Sequence, residues 1–377
     1  MSNLFNVYSL WDIEPIRAEG CKVWDKNGTE YLDFYGGHAV ISIGHTHPHY
    51  VKTIENQIEK IGFYSNSVQN SLQHELADKL AEQSDYTDYA LFLCNSGAEA
   101  VENSLKLAAF YTGKKRVIAF RESFHGRTSG AVAITDNPAI QSPFNTGHEV
   151  TFVPLNDIDA VNHELEKNDV TAVIIEGIQG VAGIIVPEKE FLKQLEATCN
   201  KHNVPLILDE IQSGYGRTGK FFAHQHASVK ADIITMAKGM GNGFPIGGVL
   251  ISPAFEAKKG MLGTTFGGSH LSCAAGIAVL DVLKEEKLIE NAAKMGEYLK
   301  NELSKIEQLD EIRGEGLMLG FALSPEYAAV QNKLLFESKI FTGSAKGNVM
   351  RLLPPLSVTK NEIDIFISEF KKQIEKL

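Results

Sequence analysis

The feature that most constrains this chain is a series of short apolar runs that alternate with helical stretches. The runs are rich in β-branched residues and are bounded by Gly, Pro or polar residues, as strands buried on both faces are. They are Tyr89–Cys94, Arg116–Phe120, Val170–Ile175, Val204–Leu208, Asp232–Met236 and Gly248–Ser252. Helical spacing over Ala98–Tyr111 and Phe191–His202 separates some of them. The sequence therefore predicts an α/β fold with a mostly parallel sheet between helices.

The two ends of the chain differ in pattern from its centre. Cys21–Trp24 and Glu30–Phe34 are short strand candidates, and Ala274–Leu303 is a long amphipathic stretch rich in Glu and Lys. A strand-like run, Leu317–Ala322, and an amphipathic helix from Lys360 follow. We therefore expect a large central domain and a smaller α+β domain built from both ends. The predicted boundaries are 46–272 for the large domain, and 1–45 with 273–377 for the small one.

Charge and cysteine usage exclude several classes of partner. The chain has 36 Lys and Arg against 47 Asp and Glu, a net charge of -11, which argues against nucleic acid or an anionic membrane. Its four cysteines are scattered, which argues against a disulfide framework or a zinc site. There is no secretory signal and no apolar run of the ~18 residues that a membrane span needs. We expect a cytoplasmic protein without a metal, although His45-Thr-His47-Pro-His49 resembles a metal cluster at first sight.

Chemically distinctive residues follow five of the apolar runs. In open parallel sheets, ligands bind beyond the carboxyl ends of the strands, so these residues are expected to meet at one edge. In chain order they are Ser96-Gly97-Ala98, Phe124 to Arg127, Glu176, Asp209 with Gln212, and Lys238. A phosphate seat, an aromatic plate, a carboxylate and a lysine are the parts that would hold a phosphorylated pyridine aldehyde.

Each of these signals has a structural interpretation when it stands alone. The turn at Ser96–Ala98 offers backbone N–H groups to a phosphate, but it is equally compatible with a serine-capped strand-to-helix turn. Asp209 needs a partner if it is buried, and that partner is an arginine, backbone amides or a protonated pyridine nitrogen. Lys238 is either a surface lysine or an amine that forms a Schiff base with an aldehyde. Arg127 and Arg351 are candidate carboxylate clamps or solvated arginines.

Over nearly its whole length the sequence resembles the class III (ω-type) aminotransferases of fold type I, which depend on pyridoxal 5′-phosphate. The matching motifs are Asn95-Ser-Gly-Ala-Glu-Ala100, Phe124-His-Gly-Arg-Thr128, Leu208-Asp-Glu-Ile-Gln212, Gly216-Arg-Thr-Gly219, Ala237-Lys-Gly239, Gly243-Phe-Pro-Ile-Gly247, Thr264-Thr-Phe-Gly-Gly268 and Arg351-Leu-Leu-Pro-Pro-Leu356. Together these motifs are specific for the class, but less so for the substrate.

The resemblance implies how the cofactor would be held. Lys238 would bond covalently to its aldehyde and then move the proton, while Asp209 would pair with its pyridine nitrogen. Gln212 would reach its phenolic oxygen, and Phe124 would stack on its ring. Its phosphate would be held by Ser96, Gly97 and Ala98 of one subunit and by Thr265 of the other. The resemblance therefore implies a homodimer with shared active sites.

The resemblance also implies the substrates. Arg127, with Thr264 beside it, would bind the α-carboxylate of an N-acylornithine, and Arg351 would bind that of 2-oxoglutarate or glutamate. Glu176 belongs to the same substrate site. The implied reaction moves the terminal amino group of an N-acylornithine, N-acetylornithine foremost, to 2-oxoglutarate in arginine synthesis.

The substrate remains the open part of this interpretation. Other amino donors fit the class, namely N-succinylornithine, ornithine, γ-aminobutyrate and succinyldiaminopimelate. An aminomutase and a non-catalytic regulator that binds the same cofactor are remoter alternatives. The family usually has a second glutamate where this chain has Val181, and that glutamate masks the arginine equivalent to Arg351. Our hypothesis is that Arg351 is here more permanently open to a substrate carboxylate.

Overall fold

The described part of the chain, residues 4–377 of this computed structural model, begins with a small antiparallel ribbon. Its strands are β1 (Pro15–Glu19), β2 (Lys22–Asp25) and β3 (Glu30–Asp33), so both strand candidates near the N-terminus are confirmed to within a residue or two. A single turn, α1 (Gly36–Ala39), follows β3, and its glycine and non-glycine residues alike have left-handed backbone angles.

The central part of the chain alternates helices and strands. Its elements are α2 (Pro48–Ile58), α3 (Ser71–Ser84), β4 (Ala90–Cys94), α4 (Gly97–Thr112), β5 (Arg116–Phe120), α5 (Ser129–Ala133), β6 (Val150–Val153), α6 (Ile158–Leu165), β7 (Val170–Glu176), α7 (Lys189–His202), β8 (Leu206–Asp209), β9 (Ile233–Met236) and β10 (Gly247–Ile251). All six predicted strands are present. The seventh, β6, was not predicted, because this short strand at the edge of the sheet is only half-buried and lacks a continuous apolar run.

These seven strands form one sheet in the order β4-β10-β9-β8-β7-β5-β6. The sheet is mostly parallel, as predicted, and β10 is antiparallel to both of its neighbours. Because of that double reversal, β4 and β9 run in the same direction and their carboxyl ends lie at the same edge. Every residue of β7 and β8 is buried, as expected for central strands with helices on both faces.

The C-terminal part combines helices with a second four-stranded sheet. Its elements are α8 (His270–Glu285), α9 (Leu288–Leu303), β11 (Leu309–Glu315), β12 (Met318–Leu323), α10 (Val330–Phe336), β13 (Ile340–Phe341), β14 (Gly343–Ala345), β15 (Val349–Leu352) and α11 (Lys360–Ile374). The strand β13 pairs in parallel with β3, which joins the C-terminal part to the N-terminal ribbon. The predicted boundary after residue 272 lies inside α8.

The predicted amphipathic stretch over Ala274–Leu303 is interrupted. The stretch contains two helices, and the break comes at Lys287, whose backbone φ of 52° is left-handed. The helix α8 is buried over most of its length, because it packs against α2 and α3, and its charged residues lie near its end. Among residues 4–377, no helix has both the length and the apolar character needed to cross a membrane.

Candidate active site

A cavity of about 740 Å³ opens at the edge of the large sheet where the parallel strands end. Most of the predicted site residues line it, although they come from widely separated parts of the chain. They are Ser96, Gly97, Ala98, Phe124, Arg127, Glu176, Asp209, Gln212, Lys238 and Arg351. The structure therefore brings together the residues that the strand-end argument grouped, and it adds Arg351 from β15 of the second sheet.

Lys238 lies two residues beyond β9 and is half-buried in the cavity wall. Its backbone φ of 42° is unusual for a residue other than glycine, and such strain is concentrated at functional sites. Within residues 4–377 its amine makes no hydrogen bond or ion pair. Burial lowers its pKa, and the nearby Arg351 adds to this, while Asp209 and Glu176 act in the opposite direction. The result is an amine more readily neutral, and therefore more nucleophilic, than a solvated lysine.

Asp209 is the last residue of β8, and its carboxylate is buried with a protein partner that the sequence analysis did not assign. His125 Nδ1 lies 2.7 Å from Asp209 Oδ2, and the backbone N–H of Ile211 donates to Oδ1 at 3.1 Å. The other ring nitrogen of His125 is buried without a partner in the described chain. His125 could have been found, because it follows β5 at the same edge of the sheet.

The N-terminus of α4 forms a second wall of the cavity. Ser96 caps this helix by accepting a hydrogen bond from the Glu99 N–H at 3.2 Å. Gly97 has no room for a side chain, because a Cβ there would lie 2.9 Å from side-chain atoms of Ile211. The turn therefore keeps backbone N–H groups accessible at the positive end of a 16-residue helix, as an anion site requires.

Arg351 and Glu176 both contact Gly180, in the loop that follows β7. The Arg351 guanidinium is buried, donates to the Gly180 carbonyl at 3.2 Å, and has an Nε with no partner in the described chain. Glu176 accepts hydrogen bonds from the N–H groups of Phe124 (2.9 Å) and Gly180 (3.2 Å). Val181 lines the cavity and is 41% exposed. Because its side chain is apolar, it cannot form an ion pair with Arg351. Arg127 is exposed at the cavity rim.

Two predicted residues, Thr264 and Thr265, do not line this cavity. The Thr264 hydroxyl instead accepts a hydrogen bond from Asn95 Nδ2 at 3.1 Å, and Thr265 is exposed on the surface. The side chains of Tyr8 and His38, in contrast, line the cavity without having been predicted. Both lie in the N-terminal part of the chain, where an argument from the ends of the large sheet gives no signal.

The histidines that resembled a metal cluster each contact a different carboxylate. His45 pairs with Asp33 at 2.8 Å, His47 with Glu286 at 2.8 Å, and His49 lies 3.5 Å from Asp281. No group of three potential metal ligands occurs in residues 4–377.

Glu176 is expected to make the free energy of unfolding of the protein depend on pH. Burial raises its pKa to about 7, against an opposing effect of His125 and with a smaller contribution from Asp209 in the same direction as burial. The native state therefore holds a proton that the unfolded chain loses near pH 4.5. Native protein binds more protons across that interval, so stability falls as pH rises through it, by about 3 kcal/mol in total.

We expect Glu176→Gln to remove that slope. Urea unfolding between pH 4.5 and 8 measures it, and Glu190→Gln on the exposed face of α7 is the control. The amide cannot accept from both N–H groups, but that cost does not depend on pH. Parallel stability curves for wild type and Glu176→Gln would contradict the assignment.

Comparison with known proteins decides the family. The family model of class-III aminotransferases matches residues 8–374. The chain is a class-III aminotransferase. It is 41% identical to the acetylornithine aminotransferase of Bacillus subtilis strain 168, over 99% of this chain and 98% of that protein. It is 39% identical to the acetylornithine aminotransferase of Methanopyrus kandleri, over 97% and 95% of the two chains.

Solved structures agree with the fold of this class-III aminotransferase. The ornithine aminotransferase of Toxoplasma gondii ME49 superposes with a TM-score of 0.92 at 30% identity, covering 100% of this chain and 94% of that one. The acetylornithine aminotransferase of Elizabethkingia anophelis superposes with a TM-score of 0.86 at 30% identity, covering 100% and 97%. The predicted family and the predicted fold type I are therefore confirmed.

Proposed function

We propose that this enzyme transfers the terminal amino group of N-acetylornithine to 2-oxoglutarate, giving the semialdehyde and glutamate, in the cytoplasmic synthesis of arginine. The observation that carries the proposal is the cavity in which Lys238, Asp209 and the α4 N-terminus meet two arginines. Curated relatives named acetylornithine aminotransferase, at about 40% identity over nearly the whole chain, support the choice of donor.

The cavity fits pyridoxal 5′-phosphate. Gly97 leaves the α4 N-terminus accessible to a phosphate, Asp209 presents a buried carboxylate, and Phe124 and Ile211 offer apolar faces to a ring. When bound, the cofactor supplies an aldehyde that accepts amino groups and a cationic ring that stabilises negative charge at the substrate carbon.

The residues of the chain would do the rest. Asp209 would keep a ring nitrogen protonated, and His125 holds that carboxylate in place through its 2.7 Å hydrogen bond. Lys238 is the amine that takes a proton from the substrate carbon and returns it. Gln212, whose Nε2 donates to the His38 carbonyl at 3.1 Å, would bind the ring's phenolic oxygen.

Two arginines at different places in the cavity suit two carboxylate substrates of different shape. Arg351 is deeply placed and is held by the Gly180 carbonyl, which leaves Nε free for the carboxylate of 2-oxoglutarate or glutamate. Arg127 lies at the rim, where it can bind the α-carboxylate of a donor whose reactive amine is several bonds away.

The second candidate function is transfer from a different ω-amino donor by the same active-site residues. The structural match to an ornithine aminotransferase favours ornithine, and an Arg351 that no carboxylate covers favours N-succinylornithine. An aminomutase or a non-catalytic regulator explains the paired arginines less well.

We also propose a homodimer with shared active sites. The loop that carries Thr265 is exposed, and the ring of Phe266 beside it is 61% exposed and contacts Phe63, itself 41% exposed. Such an apolar surface next to the cavity is suited to a second copy of the chain. Light scattering of the purified protein is expected to give twice the mass of 41.4 kDa.

One pair of experiments tests the proposed function. Borohydride reduction followed by peptide mass spectrometry is expected to find the pyridoxyl group on Lys238. A panel of amino donors with 2-oxoglutarate is expected to give the highest kcat/KM for N-acetylornithine. Absence of bound cofactor after reconstitution would refute the enzyme mechanism, whereas preference for another donor would refute only the substrate.

Val181→Glu tests why Arg351 is open. The introduced carboxylate is expected to compete for Arg351, so kcat/KM for N-succinylornithine should fall about fivefold more than kcat/KM for N-acetylornithine. Val181→Gln, which has nearly the same shape without the charge, is the control. Equal discrimination between the two donors in wild type and Val181→Glu would contradict the hypothesis.

A further inference from the structure

The cavity contains a histidine that the proposed mechanism does not use. His38 belongs to α1 and lines the cavity together with Lys238 and Arg351. Its main-chain carbonyl accepts the hydrogen bond from Gln212, so the residue is joined to the site through its backbone as well as its ring.

The backbone that presents this ring is strained. Four consecutive residues have positive φ angles, namely Gly36 (55°), Gly37 (54°), His38 (67°) and Ala39 (64°). Glycine adopts this conformation readily, but histidine and alanine rarely do. Non-glycine residues persist in such a conformation where the surrounding structure imposes it, and these places are frequently ligand sites.

The surrounding structure imposes this turn through Asp33. One carboxylate oxygen of Asp33 accepts hydrogen bonds from the N–H groups of Tyr35 (2.9 Å) and Gly36 (2.8 Å). The other oxygen pairs with His45, the first histidine of the motif that resembled a metal cluster. A Cβ at Gly36 would lie 2.7 Å from the Leu353 carbonyl, which fixes the turn against the strand that carries Arg351.

The ring of His38 lies beside the Tyr35 hydroxyl and close to positively charged side chains. The Tyr35 hydroxyl contacts both ring nitrogens of His38, at 2.9 Å from Nε2, and burial lowers the pKa of the ring, with Arg351 and Lys238 adding to the effect. A neutral imidazole offers one N–H donor. The guanidinium of Arg351 makes this wall unfavourable for an ammonium group of a substrate and favourable for a carbonyl oxygen.

We propose that His38 is a substrate-binding residue whose imidazole N–H donates a hydrogen bond to the acyl carbonyl of the amino donor. This inference deepens the proposed function and rests on it. A free diamino acid presents an ammonium group where the acylated donor presents an amide, so this contact selects acylated over free donors. The discrimination comes from one hydrogen bond together with repulsion from the Arg351 guanidinium.

The test compares kcat/KM for N-acetylornithine with kcat/KM for ornithine in the holoenzyme. His38→Gly removes the ring at a position where glycine suits the backbone, and the ratio is expected to fall about tenfold. His38→Asn keeps an N–H donor in a residue that also tolerates left-handed angles, and is expected to restore the ratio to within about threefold of wild type. Lys287→Gly is the matched control, because Lys287 also has a positive φ (52°) but is exposed and outside the cavity.

Each outcome bears on the inference. A ratio that falls in His38→Gly and recovers in His38→Asn supports it. A ratio that stays at the wild-type value in His38→Gly overturns it, even if both rates decline, because an equal decline indicates that the histidine only maintains the turn. The wild-type donor preference separately tests the proposed function, so a wild type that prefers ornithine overturns both.

Discussion

Replacing Lys238 with alanine is expected to lower kcat by about 10³-fold or more, for both the acylornithine and the glutamate half-reactions. Lys238 is an amine in the cavity wall with no protein partner in the described chain, and burial lowers its pKa. Its removal would delete both the nucleophile and the base of the proposed mechanism. The effect should fall on kcat, because Asp209 and the α4 N-terminus remain to hold the cofactor.

Three further measurements accompany this variant. Lys238→Arg keeps a cation but is a poor nucleophile, and is expected to be as inactive as Lys238→Ala. Lys201→Ala, at the exposed end of α7, should leave the rate unaltered. Added methylamine is expected to restore part of the activity of Lys238→Ala by replacing the missing base. A Lys238→Ala variant within tenfold of wild-type kcat would contradict the assigned role.

The sequence predicted the large sheet well because central parallel strands have an unambiguous pattern. Strands buried on both faces, such as β7, appear as continuous apolar runs whose ends are easy to locate. The edge strand β6 and the break at Lys287 have no such signal, since one is half-buried and the other depends on a single backbone angle. The domain boundary remains a prediction, and residue 272 lies within α8.

The candidate site was predictable where its residues follow strands of the large sheet, because the ends of those strands can be located from sequence. Residues at the carboxyl ends of parallel strands must share an edge, so Glu176, Asp209 and Lys238 could be grouped from sequence. His38 could not be grouped this way, because it enters from a left-handed turn of the N-terminal ribbon. Thr265 follows no strand end and does not line the cavity, because in a single chain it lies on the surface.

Asp209→Asn is expected to lower kcat by about 10²- to 10³-fold. The carboxylate lies at the end of a fully buried strand, where water cannot take over its charge. In the proposed mechanism only a negative group there would keep a pyridine nitrogen protonated. The amide has nearly the same shape and can still contact His125. The loss should therefore come from charge and not from packing.

Two further variants separate charge from stability. Asp232→Asn alters a half-buried carboxylate of the same sheet, at the opposite edge, where it accepts the Leu206 N–H at 2.9 Å. It is expected to lower the free energy of unfolding by about 1 kcal/mol while keeping kcat within about twofold of wild type. Asp209→Asn should show the reverse, with a small change in stability and a large change in kcat. Equal effects of both variants on kcat would mean that Asp209 acts through the fold, and the buried carboxylate would then have no part in the chemistry.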